Sequence, residues 1–475
     1  MRVLFASSEI DPLAKTGGLA DVASSLPKAL HKEGIEVFLV MPYYKRFVSK
    51  SGFPIEKTDY SINLQLGKDL LQAPLHRTKL DGIDVYLVEN DAFYDRESLY
   101  GTPEGDFKDN WKRFGLFSYT ILELAKILGN IDIIHLNDWQ TALAALLKIR
   151  KYQSMLRNTK TLISIHNLAY QGIFDKEILP ELNLDYQDFH VEGVEYYGKV
   201  NFLKAGIVYS DFINTVSPTY AEEIQTPEFG YGLEGVLKKR RDVLFGILNG
   251  IDYDVWNPEK DTEIYANFGK VNLFEGKMKN KVSLLEEVGL KSAQKPLFGI
   301  VSRLAEQKGF DLFPQVIKEI AEKDLSMVVL GTGDKVYQDM FLNISKNFKN
   351  IYVKIGFDPI FAKRIYASSD FFLMPSKYEP CGLGQLIAMR YGTIPVVRAT
   401  GGLKDTVKDI DEGGYGIVFE KYEPKELVSA IDRAITLYED EQRLRKAVST
   451  VYDLDFSWRN SAKEYIKLYK RMKNG

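Results

Sequence analysis

Two series of short apolar runs, separated by stretches with helical spacing, constrain the fold of this chain more than any other feature. Residues 3–7, 37–41, 85–89, 132–136, 162–166 and 212–216 read as strands of one sheet. Residues 297–302, 327–330, 352–355, 371–374, 395–397 and 416–419 read as strands of another. Runs this short and this continuously apolar suit strands buried on both faces, as in parallel sheets covered by crossover helices. The expected fold class is therefore α/β, with two Rossmann-like domains built on parallel sheets. A length of 475 residues also exceeds what a single hydrophobic core organises. Between the two series, Asn249-Gly250 and Asn257-Pro258 give residues 244–258 the turn chemistry of a hinge. The reading is thus a first domain over residues 1–245, a second over 246–456 and a terminal segment over 457–475. In that segment Trp458, Ala462, Tyr465, Ile466 and Tyr469 share one helical face, which must pack on something.

Charge narrows the partners. A formal net charge of -3 gives no footprint for nucleic acid or an anionic membrane, so an anionic substrate must meet a local cluster of cations. The single cysteine, Cys381, forms no intramolecular disulfide and suits a reducing compartment. The apolar run near Val3 is too short for a secretory signal, and no stretch approaches the roughly 18 apolar residues of a membrane span. The expected location is cytoplasmic.

Several motifs sit where strands give way to helices. Thr16-Gly17-Gly18-Leu19-Ala20-Asp21 recurs as Thr400-Gly401-Gly402-Leu403-Lys404-Asp405, once in each half. Glycine there lets backbone approach a ligand, and the amides of a helix start favour an anion. Lys15 adds a cation beside the first copy. A nicotinamide cofactor is disfavoured, because G-x-G-x-x-G is missing and Gly331-Thr332-Gly333 lacks the third glycine. Arg303 and Lys308 lie five residues apart after one strand run, where a guanidinium fork and a mobile ammonium can grip one diphosphate without a metal. The competing reading is a solvated ion pair with Glu306. Glu379 follows another strand run, placed to stabilise positive charge at an anomeric carbon. Asp138 and His166 close two strand runs of the first half; Trp139 offers a flat face for a sugar, although tryptophan more often packs in a core. Cys381 has no nearby histidine to activate it and reads as a packing residue. Asp252-Tyr253-Asp254 and Asp409-Ile410-Asp411 have a metal-binding form but sit in turn-like stretches, so no metal and no cofactor are expected.

Together, Lys15 to Val22, His166 to Gly172, Asn249 to Pro258, Ser302 to Gly309 and Glu379 to Leu383 closely resemble bacterial glycogen synthases and plant starch synthases, in that order along nearly the whole chain. The resemblance implies the GT-B architecture, two facing Rossmann domains with a final helix returning to the first. It implies a retaining glucosyltransferase that moves glucose from a sugar nucleotide, ADP-glucose rather than UDP-glucose, onto the 4-hydroxyl of an α-1,4-glucan. It assigns Arg303 and Lys308 to the donor phosphates, and His166 and Glu379 to the transferred glucose. Lys15, Gly17, Gly18, Asp21, Asn249, Cys381, Gly382, Leu383, Thr400, Gly401 and Gly402 complete the donor site. Tyr94, Gly356 and Phe357 fall at nucleobase positions, and Asp138 and Trp139 where the reacting sugar and acceptor are arranged. Two positions depart from the pattern: Gly384 stands where many relatives carry threonine, and Ile387 where the wider group has a second glutamate. A pyridoxal-phosphate phosphorylase of the same architecture is disfavoured by the short chain and the lack of a recognised cofactor lysine.

Overall fold

A computed structural model describes residues 1–474 and divides the chain into two compact units. The first comprises Met1–Ile247 together with the chain from Trp458 onward; the second is Leu248–Ser457.

The first unit is built on nine strands: β1 (Arg2–Ala6), β2 (Glu36–Pro42), β3 (Glu56–Leu66), β4 (Asp69–Leu80), β5 (Ile83–Val88), β6 (Ile133–Asn137), β7 (Lys160–Ile165), β8 (Phe212–Thr215) and β9 (Leu244–Gly246). Their order is β9-β8-β7-β6-β1-β2-β5-β4-β3. All neighbours from β9 to β5 run parallel, while β4 and β3 form an antiparallel flap. Val3, Leu4, Phe5, Ile133, Ile134 and Leu136 are wholly buried, as strands covered on both faces require. The helix Gly18–Lys32 buries Leu19, Ala20, Val22, Ala23, Leu26 and Leu30, the helical repeat of one apolar face.

The last helix, Trp458–Asn474, packs on Gly18–Lys32 through a face that includes Trp458, Ala462, Tyr465, Leu468, Tyr469 and Met472. It is also tied to the sheet by a buried polar chain. The His135 ring bonds Tyr469 Oη at 2.7 Å and Ser164 Oγ at 2.5 Å, Ser164 donates to Asn214, and Asn214 Nδ2 donates to Tyr465 Oη at 2.9 Å. Burial holds His135 far below the usual histidine range, so this ring is a neutral structural link.

The second unit has six parallel strands: β10 (Leu297–Leu304), β11 (Ser326–Gly333), β12 (Ile351–Ile355), β13 (Phe371–Met374), β14 (Ile394–Arg398) and β15 (Ile417–Phe419). Their order is β12-β11-β10-β13-β14-β15, the doubly wound arrangement. A core including Leu297, Phe298, Met327, Phe371, Phe372, Leu386 and Ile431 lies against this sheet.

Among the described residues, no helix is long and apolar enough to cross a membrane.

Candidate active site

Open parallel sheets bind ligands beyond the carboxyl ends of the strands where the winding reverses. In the second unit that point lies between β10 and β13. Arg303 is the penultimate residue of β10 and Lys308 follows that strand in the turn Glu306–Lys308; Glu379 lies five residues beyond β13. Lys308 Nζ stands 2.6 Å from Glu379 Oε2, and Ser376 Oγ donates to the same oxygen at 3.1 Å. Glu379 is only 5% exposed, so its partners matter: an unpaired carboxylate at this depth would be strongly disfavoured. Glu306 pairs with Lys377 at 2.7 Å, which leaves Arg303 exposed against Gln307. The expected alternative ion pair to Glu306 is therefore taken by a different lysine.

The loop carrying Glu379 is held from several sides. Arg398 donates to the carbonyls of Ser376 and Lys377, and buried Gln385 donates to those of Cys381 and Gly382. Gly309, at φ +78°, lets the Lys308 turn approach the loop, since a Cβ would stand 2.0 Å from Pro375 O. Asn249 meets the same loop through a backbone hydrogen bond to the Cys381 thiol. Its Oδ1 is buried with no hydrogen-bond partner among the described residues, an acceptor suited to a ligand donor. Burial pushes the Cys381 thiol up to about 12, which agrees with packing rather than nucleophilic chemistry. Phe357 follows β12 with its ring 82% exposed, next to Gly356, where no atom would meet an added Cβ.

Gly401 and Gly402 require a correction. Both are buried, and Cβ atoms there would stand 2.0 Å from Glu379 O and 2.1 Å from Cys381 O. The Gly402 amide already donates to Glu379 O at 3.1 Å and Pro380 O at 3.2 Å. This pair, with Thr400 as helix cap, braces the Glu379 loop, and the Gly402 N–H does not face a ligand.

In the first unit the reversal lies between β1 and β6. Lys15, Gly17 and Gly18 follow β1, with both glycines exposed and nothing within 4 Å of an added Cβ. Lys15 pairs with Asp21 at 2.5 Å in the first helical turn. Beneath them sits Glu9, which the sequence reading missed. Its carboxylate accepts from the amides of Thr16 at 2.5 Å and Gly17 at 3.2 Å, from Thr16 Oγ1 and from Tyr100 Oη at 3.0 Å. A glutamate seven residues before the glycine loop is the signal that marks it. Because Gly17 N–H is committed to Glu9, the helix start at Gly18 is what remains for an anion.

Asp138 follows β6 at φ +54° and accepts the His166 amide at 2.8 Å. Burial raises its carboxyl to about 7, partly offset by the amides of His166 and Asn167. Burial also lowers His166 to about 4, so its ring is neutral at physiological pH. Asn137 Nδ2 donates to Ala6 O, which turns Oδ1 to His166 Nε2 at 2.9 Å. The proton of the neutral ring therefore sits on Nε2, leaving Nδ1 as an acceptor.

Two further expectations fail on burial. Tyr94 is 0% exposed, edge-on to Tyr44, and its hydroxyl donates to Arg113 O at 2.7 Å, so it presents no face to a base. Trp139 is 7% exposed between Phe114, Phe174 and Gly172, so it is core and no platform for a sugar. Neither D-x-D pair gathers a cation site: Asp409 and Asp411 bind Arg433, and Asp252 accepts the Asp254 amide. No metal-binding cluster of His, Cys, Asp and Glu occurs among the described residues.

A family model described as starch synthase catalytic domain matches residues 2–239, and one described as glycosyl transferases group 1 matches residues 284–450. The glycogen synthase of Aquifex aeolicus is 48% identical over 477 residues, covering 100% of both chains. That of Geotalea daltonii is 45% identical over 478 residues, covering 99% of this chain and 98% of its own. This chain belongs to the glycogen and starch synthase family. The solved catalytic domain of starch synthase IV from Arabidopsis thaliana, bound to ADP and acarbose, superimposes with a TM-score of 0.91 at 35% identity, covering 100% of this chain and 99% of its own. The sucrose-phosphate synthase of Thermosynechococcus elongatus, at 15% identity and a TM-score of 0.62, shares the fold. This family member is thus a glucosyltransferase of GT-B architecture. Its departure at Gly384 fits the packing: a Cβ there would meet Phe372 Cε1 at 3.0 Å, so a threonine requires that ring to give way.

Proposed function

We propose that this glucosyltransferase moves glucose from ADP-glucose to the non-reducing 4-hydroxyl of an α-1,4-glucan with retention at the anomeric carbon. The observation that carries the reading is the pairing of Lys308 with buried Glu379, beside Arg303, at the winding reversal of the second unit. An ammonium has three donors, so Lys308 can stay on Glu379 while it also meets a phosphate oxygen. Arg303 supplies the fork for the same diphosphate. Asn249 Oδ1 accepts from the donor, and the exposed Phe357 ring stacks on adenine. The relative solved with ADP supports adenine as the base. Leu248–Ser457 is then the donor-binding unit, and the first unit serves the acceptor.

Glu379 stabilises positive charge at C1 as the bond to the diphosphate oxygen breaks. The acceptor O4 forms its bond to C1 on the same face, and the O4 proton passes to the departing phosphate. With Ile387 in place of a second glutamate, Glu379 acts through charge and hydrogen bonds rather than as one of two carboxylates. His166 Nδ1 accepts from a glucose hydroxyl, and Asp138 positions His166 through its amide. Removing any one of these interactions costs on the order of 3 kcal/mol, or about a hundredfold in rate.

The test offers ADP-glucose and UDP-glucose separately with glycogen, following nucleoside diphosphate release and chain extension. ADP release matched by extension is expected. Preference for UDP-glucose overturns the donor assignment; diphosphate release without extension overturns the transfer reading.

A further inference from the structure

At the end of the first unit's sheet remote from Asp138 and His166, a cavity of about 190 Å³ is lined by Lys148, Ile149, Gln153, Leu156 and Arg157. Lys148 lies near the end of the helix Trp139–Lys151, about 14 Å along its axis from Trp139. Lys160 opens β7 and Asp211 immediately precedes β8, so both stand at amino ends of strands, whereas Asp138 and His166 follow carboxyl ends. One water needs roughly 10–15 Å³, so a cavity of this size admits a polyatomic ligand.

The ammonium of Lys148 gives this cavity a chemical demand. Its side chain is 13% exposed, and the carboxylate it faces, Asp211 Oδ2, is 3.6 Å away, beyond hydrogen-bond reach. That oxygen already accepts from the Thr161 amide at 2.7 Å and the Thr161 hydroxyl at 3.0 Å. Burial lowers the Lys148 ammonium below the usual lysine range; Asp211 offsets part of this and Lys160 adds to it. The carboxyl end of a helix favours cations, which accounts for Lys151 at the surface. It does not account for an ammonium drawn away from water that donates no hydrogen bond among the described residues.

The surroundings are cationic although the chain carries a net charge of -3. The side chains of Gln153, Arg157 and Lys160 enter no hydrogen bond or ion pair among the described residues. Arg240 also faces Asp211, and its guanidinium donates to the carbonyls of Val208, Ser210 and Asp211. Asp132, just before β6, is held by Lys473 at 2.7 Å and by the Arg2 amide at 2.8 Å. One carboxylate, Asp211, is thus shared between Lys148 and Arg240, while Arg157 and Lys160 add charge that no side chain balances.

We propose that this cavity binds the phosphate group of a small molecule, gripped by Lys148 and Arg157 with the Gln153 amide as a further donor. An ammonium and a guanidinium combine a mobile point charge with a planar fork, the pairing that suits phosphate oxygens. The anion supplies the hydrogen-bond partner that Lys148 lacks. Ile149 and Leu156 give the same cavity an apolar wall, so it accommodates the carbon frame of a phosphate ester as well as the free ion. The proposal is independent of the donor and acceptor assigned above.

Calorimetric titration with inorganic phosphate, at an ionic strength held constant with chloride, tests the site. It is done on the Arg303→Ala chain, which lacks the guanidinium assigned to the donor diphosphate. One phosphate per chain is expected, with binding weakened at least about tenfold by Arg157→Gln and by Lys148→Met. Arg157 is exposed and unpaired, so Arg157→Gln should leave the unfolding midpoint in place; Lys148→Met exchanges a buried charge for an apolar chain of similar length, and its midpoint should hold or rise. Glycerol 3-phosphate, which offers no glucose ring for the reaction centre to recognise, separates the two sources of phosphate. Tighter binding than inorganic phosphate assigns the cavity to phosphate esters, and weaker binding assigns it to the free ion. Binding of neither probe overturns the site, as does phosphate binding that is unchanged in a folded Arg157→Gln chain. If the unmodified protein transfers glucose from neither donor, the function reading has failed, and the titration still reports on the cavity alone.

Discussion

The two Thr-Gly-Gly-Leu segments share four residues in sequence and both open a helix at a sheet edge, yet they meet opposite surroundings. Gly17 and Gly18 are exposed, take negative φ and have open space where a Cβ would stand. Gly401 is at φ +44°, and both it and Gly402 are pressed against the Glu379–Cys381 backbone. The later pair is glycine because the fold leaves no room. The earlier pair is glycine where the fold would accept a side chain, which is what approach by a ligand demands. Their neighbours differ as well. The earlier loop rests on the buried carboxylate Glu9, whereas the later one braces a carboxylate already matched by Lys308.

The largest break should come from Gly402→Ala. Overlap with Cys381 backbone should cost about 3 kcal/mol or more and disturb Glu379, so thermal unfolding and turnover fall together. A stable, active variant would remove the bracing role. Next, Lys308→Ala should reduce turnover about a hundredfold and also lower stability by about 1–3 kcal/mol, because Glu379 keeps only Ser376 at that oxygen. Glu379→Gln keeps both neighbours as hydrogen-bond partners, so kcat should fall while KM and the unfolding midpoint change little. Gly18→Ala sharpens the contrast: stability should hold or rise by about 0.5 kcal/mol, as alanine suits a helix, while steady-state turnover drops at least about tenfold. Reduced stability in that variant would make the two glycine pairs alike.

The smallest effect is in pH. Asp138 is raised from 3.8 to about 7, so between those values the folded chain holds a proton that the unfolded chain releases. Stability contributed by this group falls as pH rises through that window. His166, lowered from 6.5 to about 4, gives the opposite slope over its own window. Asp138→Asn, compared with the unmodified chain by denaturant unfolding from pH 4 to 8, should remove the Asp138 component. Identical pH profiles would place the carboxylate in contact with solvent.

Sheet strands that are buried on both faces were legible because an uninterrupted apolar run permits few alternatives; Val3 to Ala6 and Phe371 to Met374 are examples. The β3–β4 flap escaped notice because it has one wet face, its signal being alternation, with Ile62 and Leu66 buried among exposed Asn63 and Gln65. Part of the expected hinge, Leu244–Gly246, is instead an edge strand bonded to β8. Lys15, Glu379 and Lys308 stand out in the sequence because cations and carboxylates beside glycine turns are conspicuous. Tyr94 and Trp139 misled because a sequence does not say which side of an aromatic ring is covered. Glu9 was hidden for a related reason: two of its partners are the backbone amides of Thr16 and Gly17, which leave no mark in side-chain chemistry, and a third, Tyr100, comes from a distant segment.

The last helix completes the same unit that the first strand begins. On a ribosome, residues 1–247 must therefore wait through the synthesis of the entire second unit before Tyr465 and Tyr469 arrive to meet Asn214 and His135. A late stop codon would harm the earliest-made part of the protein, leaving those polar groups uncovered while the unit translated just before it keeps its own core.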